Sequence, residues 1–196
     1  MARLTRKEKQ AHTRNCLMKS AAKVFAKRGL QQASIDEVAE EAGYTKGAFY
    51  ANFKNKEELF LAMLDERFGQ KLAEIERVAA GDDFSLAVTS DPEFDRLFFE
   101  FSAYAARNED FREELVTRYR ALRAQVADAI GGRAQRDGVE LPISAETISL
   151  MTFAMAKGLA LENMLEPEAV DDELFSSMLT IFFTGLRTLA ASPAAS

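Results

Sequence analysis

Ser34-Ile35-Asp36-Glu37-Val38-Ala39-Glu40-Glu41-Ala42-Gly43-Tyr44-Thr45-Lys46-Gly47-Ala48-Phe49-Tyr50-Ala51-Asn52-Phe53-Lys54-Asn55-Lys56-Glu57-Glu58 is the stretch that decides the fold. Ser34 and Glu37 have the spacing of a capping box. The Ser34 hydroxyl accepts the Glu37 backbone N–H, and the Glu37 carboxylate reaches back to the N–H of Ser34. The helix this opens is short: Val38, Ala39 and Ala42 are its apolar or small positions, and Gly43 ends it in the left-handed conformation that glycine tolerates. Only Tyr44 separates that glycine from Thr45, a new N-cap, so a second short helix is expected from Lys46 to about Asn52. Asn55 caps a third start, with Glu58 at its third helical position. That helix should run from Lys56 to about Ala80 and stop before Gly81-Asp82-Asp83. Two short helices joined by a tight glycine turn make a helix-turn-helix.

Upstream, Leu17, Ala21, Val24 and Phe25 fall on one face of a helix expected from about Arg6 to Lys27, stopping before Gly29. Phe49 and Phe53 are placed to pin the second short helix to the flanking ones. Its other face carries Thr45, Lys46, Gly47, Ala48, Tyr50, Ala51 and Asn52, a short, small and polar set that suits insertion into a groove. Cys16 lies beside the apolar stripe and reads as a small filler. His12 reads as a partly exposed polar residue.

Charge supports this reading. The net charge is −6, but residues 1–56 hold 12 Lys and Arg against 5 Asp and Glu, while residues 57–196 hold 13 against 26. A basic quarter on an acidic body suggests that the small part meets a polyanion and the large part does not. At 196 residues, 47% apolar and 29% charged, the composition is globular. One cysteine and one histidine leave no internal disulfide, no His/Cys zinc site and little for a His-based catalytic centre. The carboxylates are spread along polar faces, with no glycine-rich phosphate loop. No enzyme, cofactor or metal is therefore expected. With neither an 18-residue apolar run nor a signal-like h-region, no membrane partner is expected either, and the location is read as cytoplasmic.

Phe25-Ala26-Lys27-Arg28-Gly29, the Ser34–Ala39 box and Ala42-Gly43-Tyr44-Thr45-Lys46-Gly47-Ala48-Phe49-Tyr50-Ala51-Asn52-Phe53-Lys54-Asn55-Lys56-Glu57-Glu58-Leu59 resemble the tetracycline-repressor (TetR) family of bacterial transcription regulators. The resemblance covers the first third of the chain. It implies a recognition helix at Thr45–Asn52 and phosphate contacts from Tyr50 and from Ser34 at a helix start. Lys56 matches the lysine that anchors the start of the fourth helix. It also implies an all-α fold: a three-helix DNA-binding domain at 1–55 and an antiparallel helical effector-binding and dimerisation domain at 56–196. The partners implied are a duplex DNA operator, a small-molecule effector and a second copy of the chain. The chain departs from many members at Ala51 and Asn52, where large aromatics or histidine are common. On physical grounds, Lys46 suits guanine O6/N7, Asn52 suits adenine or simply ends the helix, and Ala48 or Ala51 suits a thymine methyl. Small Gly47 and Ala48 allow backbone approach, and Lys56 is long enough to reach a phosphate.

The body reads as further helices: one opened by Asp91-Pro92, one from Asn108 that weakens or ends at Gly131-Gly132, and two more at Ser144–Leu165 and Asp171–Ala190. An apolar effector pocket is expected among Phe98, Phe101, Tyr104, Tyr119, Met151 and Met155, with Glu100 read as a solvated residue of a polar stripe. The last two helices carry two apolar rows each. Leu174, Met178, Ile181, Gly185 and Leu189 form one row of the final helix. Phe175, Leu179, Phe182, Phe183 and Leu186 form the other. The dimer seam is expected on these and on Leu161 of the preceding helix, with the choice between the two rows left open and deep burial inside one chain as the alternative. A ligand-free helical interaction module, or an enzyme using carboxylates, is the rival to a ligand-controlled repressor.

Overall fold

A computed structural model of the chain describes residues 5–80, 91–171 and 173–191. Among them are eight α-helices and no strand: α1 (Arg6–Gln32), α2 (Ile35–Glu41), α3 (Lys46–Tyr50), α4 (Lys56–Ala80), α5 (Pro92–Ala105), α6 (Glu109–Asp137), α7 (Ala145–Leu165) and α8 (Leu174–Ala191). A 3-10 turn at Pro167–Ala169 lies between the last two. The fold is all-α, as its sequence pattern requires. The break expected at Gly81-Asp82-Asp83 lies outside the described residues.

Packing groups the helices into two units. The first comprises Met1–Arg67 with Glu93–Leu115, and the second comprises Phe68–Pro92 with Val116–Ser196. In the first unit the core is Leu17, Ala21 and Phe25 of α1, Val38 and Ala39 of α2, Phe49 and Phe53 around α3, and Leu59, Phe60 and Leu64 of α4, all essentially inaccessible to solvent. Each large side chain so buried contributes roughly 1.5–3 kcal/mol. The helix-turn-helix does not close this core alone. Phe101 of α5 is fully buried, stacked on Phe60 with ring centroids 3.5 Å apart, and edge-on to Phe25 at 5.9 Å. The unit that contains the helix-turn-helix therefore also takes in the start of α4 and most of α5.

Local rules account for the ends. The expected stop before Gly29 is there as a kink: Gly29 takes φ 74° and ψ 167°, and a further turn follows before Ala33. α2 closes on Gly43 at φ 72°. The Gly43 N–H donates to Glu40 O at 2.9 Å and the Tyr44 N–H to Ala39 O at 2.8 Å, the paired bonds of a Schellman end. α6 corrects one expectation. It runs through Gly131-Gly132 and closes only at Gly138, where the Val139 N–H donates to Ala134 O at 2.9 Å. A Cβ on Gly131 would lie 3.8 Å from the Ala145 Cβ at the start of α7, so α7 packs closely along this stretch of helix. In the second unit the fully buried Ser149 of α7 donates its hydroxyl to Arg123 O of α6 at 2.8 Å, and Ile148 beside it is also fully buried.

Candidate nucleic-acid interface

The helix-turn-helix is capped as its sequence specifies. The Ser34 Oγ accepts the Glu37 N–H at 3.1 Å, and the Glu37 carboxylate accepts the Ser34 N–H at 2.9 Å and its hydroxyl at 3.1 Å. Those bonds, the backbone one first, hold the Glu37 carboxyl below the usual carboxylate range. Thr45 Oγ1 accepts the Ala48 N–H at 3.2 Å. At the third start, Asn55 Oδ1 accepts the Glu58 N–H at 2.8 Å, while the Glu58 carboxylate accepts from Lys54 N, one residue earlier than a standard box.

α3 is five residues long, two fewer than the spacing predicted, with Ala51 and Asn52 in its closing turn. So short a helix is not stable by itself and needs its ends held. Thr45 holds one end. Arg14 of α1 holds the other: its guanidinium donates to Asn52 O at 2.8 Å and lies 4.1 Å from the centre of the Phe53 ring. Phe49 and Phe53 are buried behind α3. Its front leaves Thr45, Lys46, Gly47, Tyr50 and Ala51 exposed, with Ala48 half-buried, and Ser34 is exposed at the start of α2. The Lys46 ammonium pairs with the Asp36 carboxylate at 2.9 Å, which ties the starts of α2 and α3 together and raises the lysine pKa.

Two of the assigned side chains are engaged within the chain. The Asn52 Nδ2 donates to Ala48 O at 2.8 Å, which suits its reading as a helix-ending residue, and its Oδ1 is buried without a hydrogen-bond partner among the described residues. Lys56 is half-buried, and its ammonium donates to Leu30 O at 2.7 Å and Ala33 O at 2.8 Å. It ties the last turn of α1 to the start of α4, so two of its three N–H groups are committed inside the protein.

Sequence reasoning misses three residues. Arg14 sits three residues before Leu17 and seven before Ala21, on the apolar stripe, and that misplaced charge is the available signal. Asp36 lies inside a capping box that does not use it. Glu100 reads as solvated, yet its carboxylate accepts the Leu30 N–H at 2.5 Å, immediately after the Gly29 kink. Both backbone polar groups of Leu30 are thus held, the N–H by Glu100 and the carbonyl by Lys56.

The pocket set is divided. Phe98, Phe101 and Tyr104 belong to the first unit and Tyr119, Met151 and Met155 to the second. Phe98 and Phe101 are buried core, and the Tyr104 hydroxyl donates to Glu57 Oε1 at 2.9 Å, so these three pack the first unit. Met151 is exposed. Tyr119 stands between Phe68 at 5.6 Å and Phe153 at 5.5 Å, all three half-exposed, with Met155 also half-exposed.

The dimer set is divided as well. Leu179 is 2% exposed and Leu186 8%, so these two face the chain's own core, while Phe182 and Phe183 are half-buried. The other row faces out, with Ile181 74% and Leu189 63% exposed. On α7, Leu161 is exposed as expected, together with Leu150 and Leu165. The Phe175 side chain lies outside the described residues. Two rows on one helix are indistinguishable by period, and only tertiary packing decides which turns inward.

A capped helix-turn-helix with a buried aromatic back and an exposed polar front, carried on an all-helical chain, defines a DNA-binding transcription regulator. Similarity to known proteins makes this specific. Residues 17–63 match the tetR family of bacterial regulatory proteins, and residues 62–187 match the C-terminal domain of BetI-type transcriptional repressors. The chain belongs to the TetR family. It is 27% identical over 210 residues to the HTH-type transcriptional regulator TtgR of Pseudomonas putida, covering 99% of each chain. It is 36% identical over 66 residues to the HTH-type transcriptional repressor BepR of Brucella suis, covering 33% of this chain and 32% of that protein. A crystal structure of a TetR-family regulator from Rhodococcus sp. has the same fold, with TM-score 0.75 and 23% identity over 90% of this chain and 99% of that one. Among the described residues no helix is long and apolar enough to cross a membrane.

Proposed function

We propose that the chain is a cytoplasmic repressor that binds a near-palindromic duplex operator as a homodimer and is released by a small apolar or aromatic effector. The observation that carries the DNA reading is the exposed front of α3, held at one end by Thr45 and at the other by Arg14. Tyr50 and the start of α2 at Ser34 supply phosphate contacts, and Lys46 reads a base edge over the small Gly47, Ala48 and Ala51. Lys56 acts by positioning.

The dimer reading rests on the outward rows of α7 and α8. Leu161, Leu165, Ile181 and Leu189 are exposed, and a Cβ at Gly158 or Gly185 would meet nothing within 4 Å among the described residues. Small residues at these two places leave room for a second copy to approach closely. For the effector, the half-exposed aromatics Phe68, Tyr119 and Phe153, with Met155, are the candidates in the second unit. The test is selection from random duplexes, followed by a thermal-shift screen of apolar aromatics. A ligand that lowers operator affinity must lose affinity for the operator-bound protein by the same factor. A tight ligand with no effect on operator binding would leave the body a dimerisation scaffold.

A further inference from the structure

Asp36 is an acid on the face offered to a polyanion. It is not needed for the cap, because Ser34 and Glu37 form the box by themselves. Its carboxylate instead reaches ten residues along the chain and accepts from the Lys46 Nζ at 2.9 Å. Both side chains are more than half exposed, so the pair is not part of the core. Exposed pairs of this kind add little to stability. Their effect is on what the lysine is able to bind.

We infer that Asp36 is a specificity-determining residue that acts through Lys46, turning it from a phosphate-binding cation into a reader of neutral base acceptors. This rests on the DNA-binding function proposed above. An ammonium carries three donors, and one is held by Asp36. A phosphate brought to the same ammonium carries its own negative charge and must approach or displace the carboxylate. The exchange of one anion for another gains little. Guanine O6 and N7 are neutral acceptors. Lys46 can donate to them with its remaining N–H groups while keeping Asp36, so no like-charge contact arises. The pair therefore suppresses binding to arbitrary sequence and leaves base contact intact.

The test compares Asp36→Asn with the parent chain on two fluorescent duplexes: the operator recovered by selection, and a random-sequence duplex of equal length. Asparagine keeps the shape and an acceptor for Lys46 but removes the charge. Both chains are first shown by circular dichroism to melt alike. Releasing one cation to phosphate steepens the salt slope by about 0.9, which amounts to roughly five-fold tighter random-duplex binding at 0.15 M salt. Operator affinity should change by less than two-fold, so the specificity ratio falls. In a Lys46→Met background the Asp36→Asn change should no longer alter the ratio between the two duplexes. An equal gain on both duplexes, or a loss of ratio that persists without Lys46, shows a general charge effect and overturns the inference. Failure of the parent chain to retain any duplex overturns the DNA-binding reading itself.

Discussion

Lys56→Ala separates two roles that sequence alone merges. The Lys56 ammonium bonds to Leu30 O and Ala33 O at 2.7 and 2.8 Å, and both residues are almost fully buried. A hydrogen bond from a charged donor is worth about 1.5–3 kcal/mol net, and water partly replaces it on a half-exposed site. A combined loss of about 2–3 kcal/mol follows. For a chain of this size that is a fall in melting temperature of roughly 4–12 °C. Lys56→Met, which keeps the stem and removes the donors, should lose most of the same stability. Operator affinity should fall in both variants because the end of α1 loosens, but the slope of log K against log salt should stay within about 0.3 of the parent. Differential scanning calorimetry and fluorescence anisotropy across a salt series measure the two effects. An unchanged melting temperature with the slope reduced by about 0.9 would show that Lys56 is a phosphate contact and that its carbonyl bonds contribute nothing.

Other outcomes follow from the same geometry. Gly29→Ala forces an L-residue to φ 74° and places a Cβ 2.9 Å from Glu100 Oε1, so it should destabilise by about 2–4 kcal/mol; adding Glu100→Ala should give less than the sum of the single changes, and strict additivity in thermal melts would deny the contact. Glu37 has its folded pKa depressed by Ser34, so its contribution is present above the ordinary carboxylate range and is lost as pH falls through the folded pKa. An NMR titration should place Glu37 below that range, and Ser34→Ala should raise it only part of the way, because the backbone N–H at position 34 still donates to the carboxylate; an unshifted value in the parent chain contradicts the capping box. Ile181→Glu should give monomers in sedimentation, since it puts a charge into the proposed seam; an undisturbed dimer moves the seam elsewhere.

The parts legible in sequence are those written locally. The Ser34/Glu37 box, the Thr45 cap and the Gly43 turn follow from a few adjacent residues, and they mark the start, turn and restart of the helix-turn-helix. What sequence leaves open depends on partners distant in the chain. Asn52 and Lys56 carry groups suited to DNA, but the carbonyls of Ala48, Leu30 and Ala33 take them first. Glu100 lies on a polar stripe by period, yet α5 packs that stripe against the kink after Gly29, where one backbone N–H has lost its helical acceptor. Gly131-Gly132 reads as a stop because glycine weakens helices, but the Schellman end at Gly138 sets the boundary. The inward row of α8 shows the same limit, since periodicity finds two rows and tertiary packing chooses between them.

The central claim is that the front of α3, paired across a dyad, reads duplex DNA. Selection from a pool of random duplexes at two salt concentrations tests it most directly. The account predicts recovery of an inverted repeat whose half-sites are separated by about one helical turn, roughly 34–36 Å, or a stretched version of it, with binding that weakens steeply as salt rises and a half-site position whose preference disappears in Lys46→Ala. Recovery of no common sequence, or of a site retained equally by a chain altered at both Lys46 and Tyr50, would contradict it.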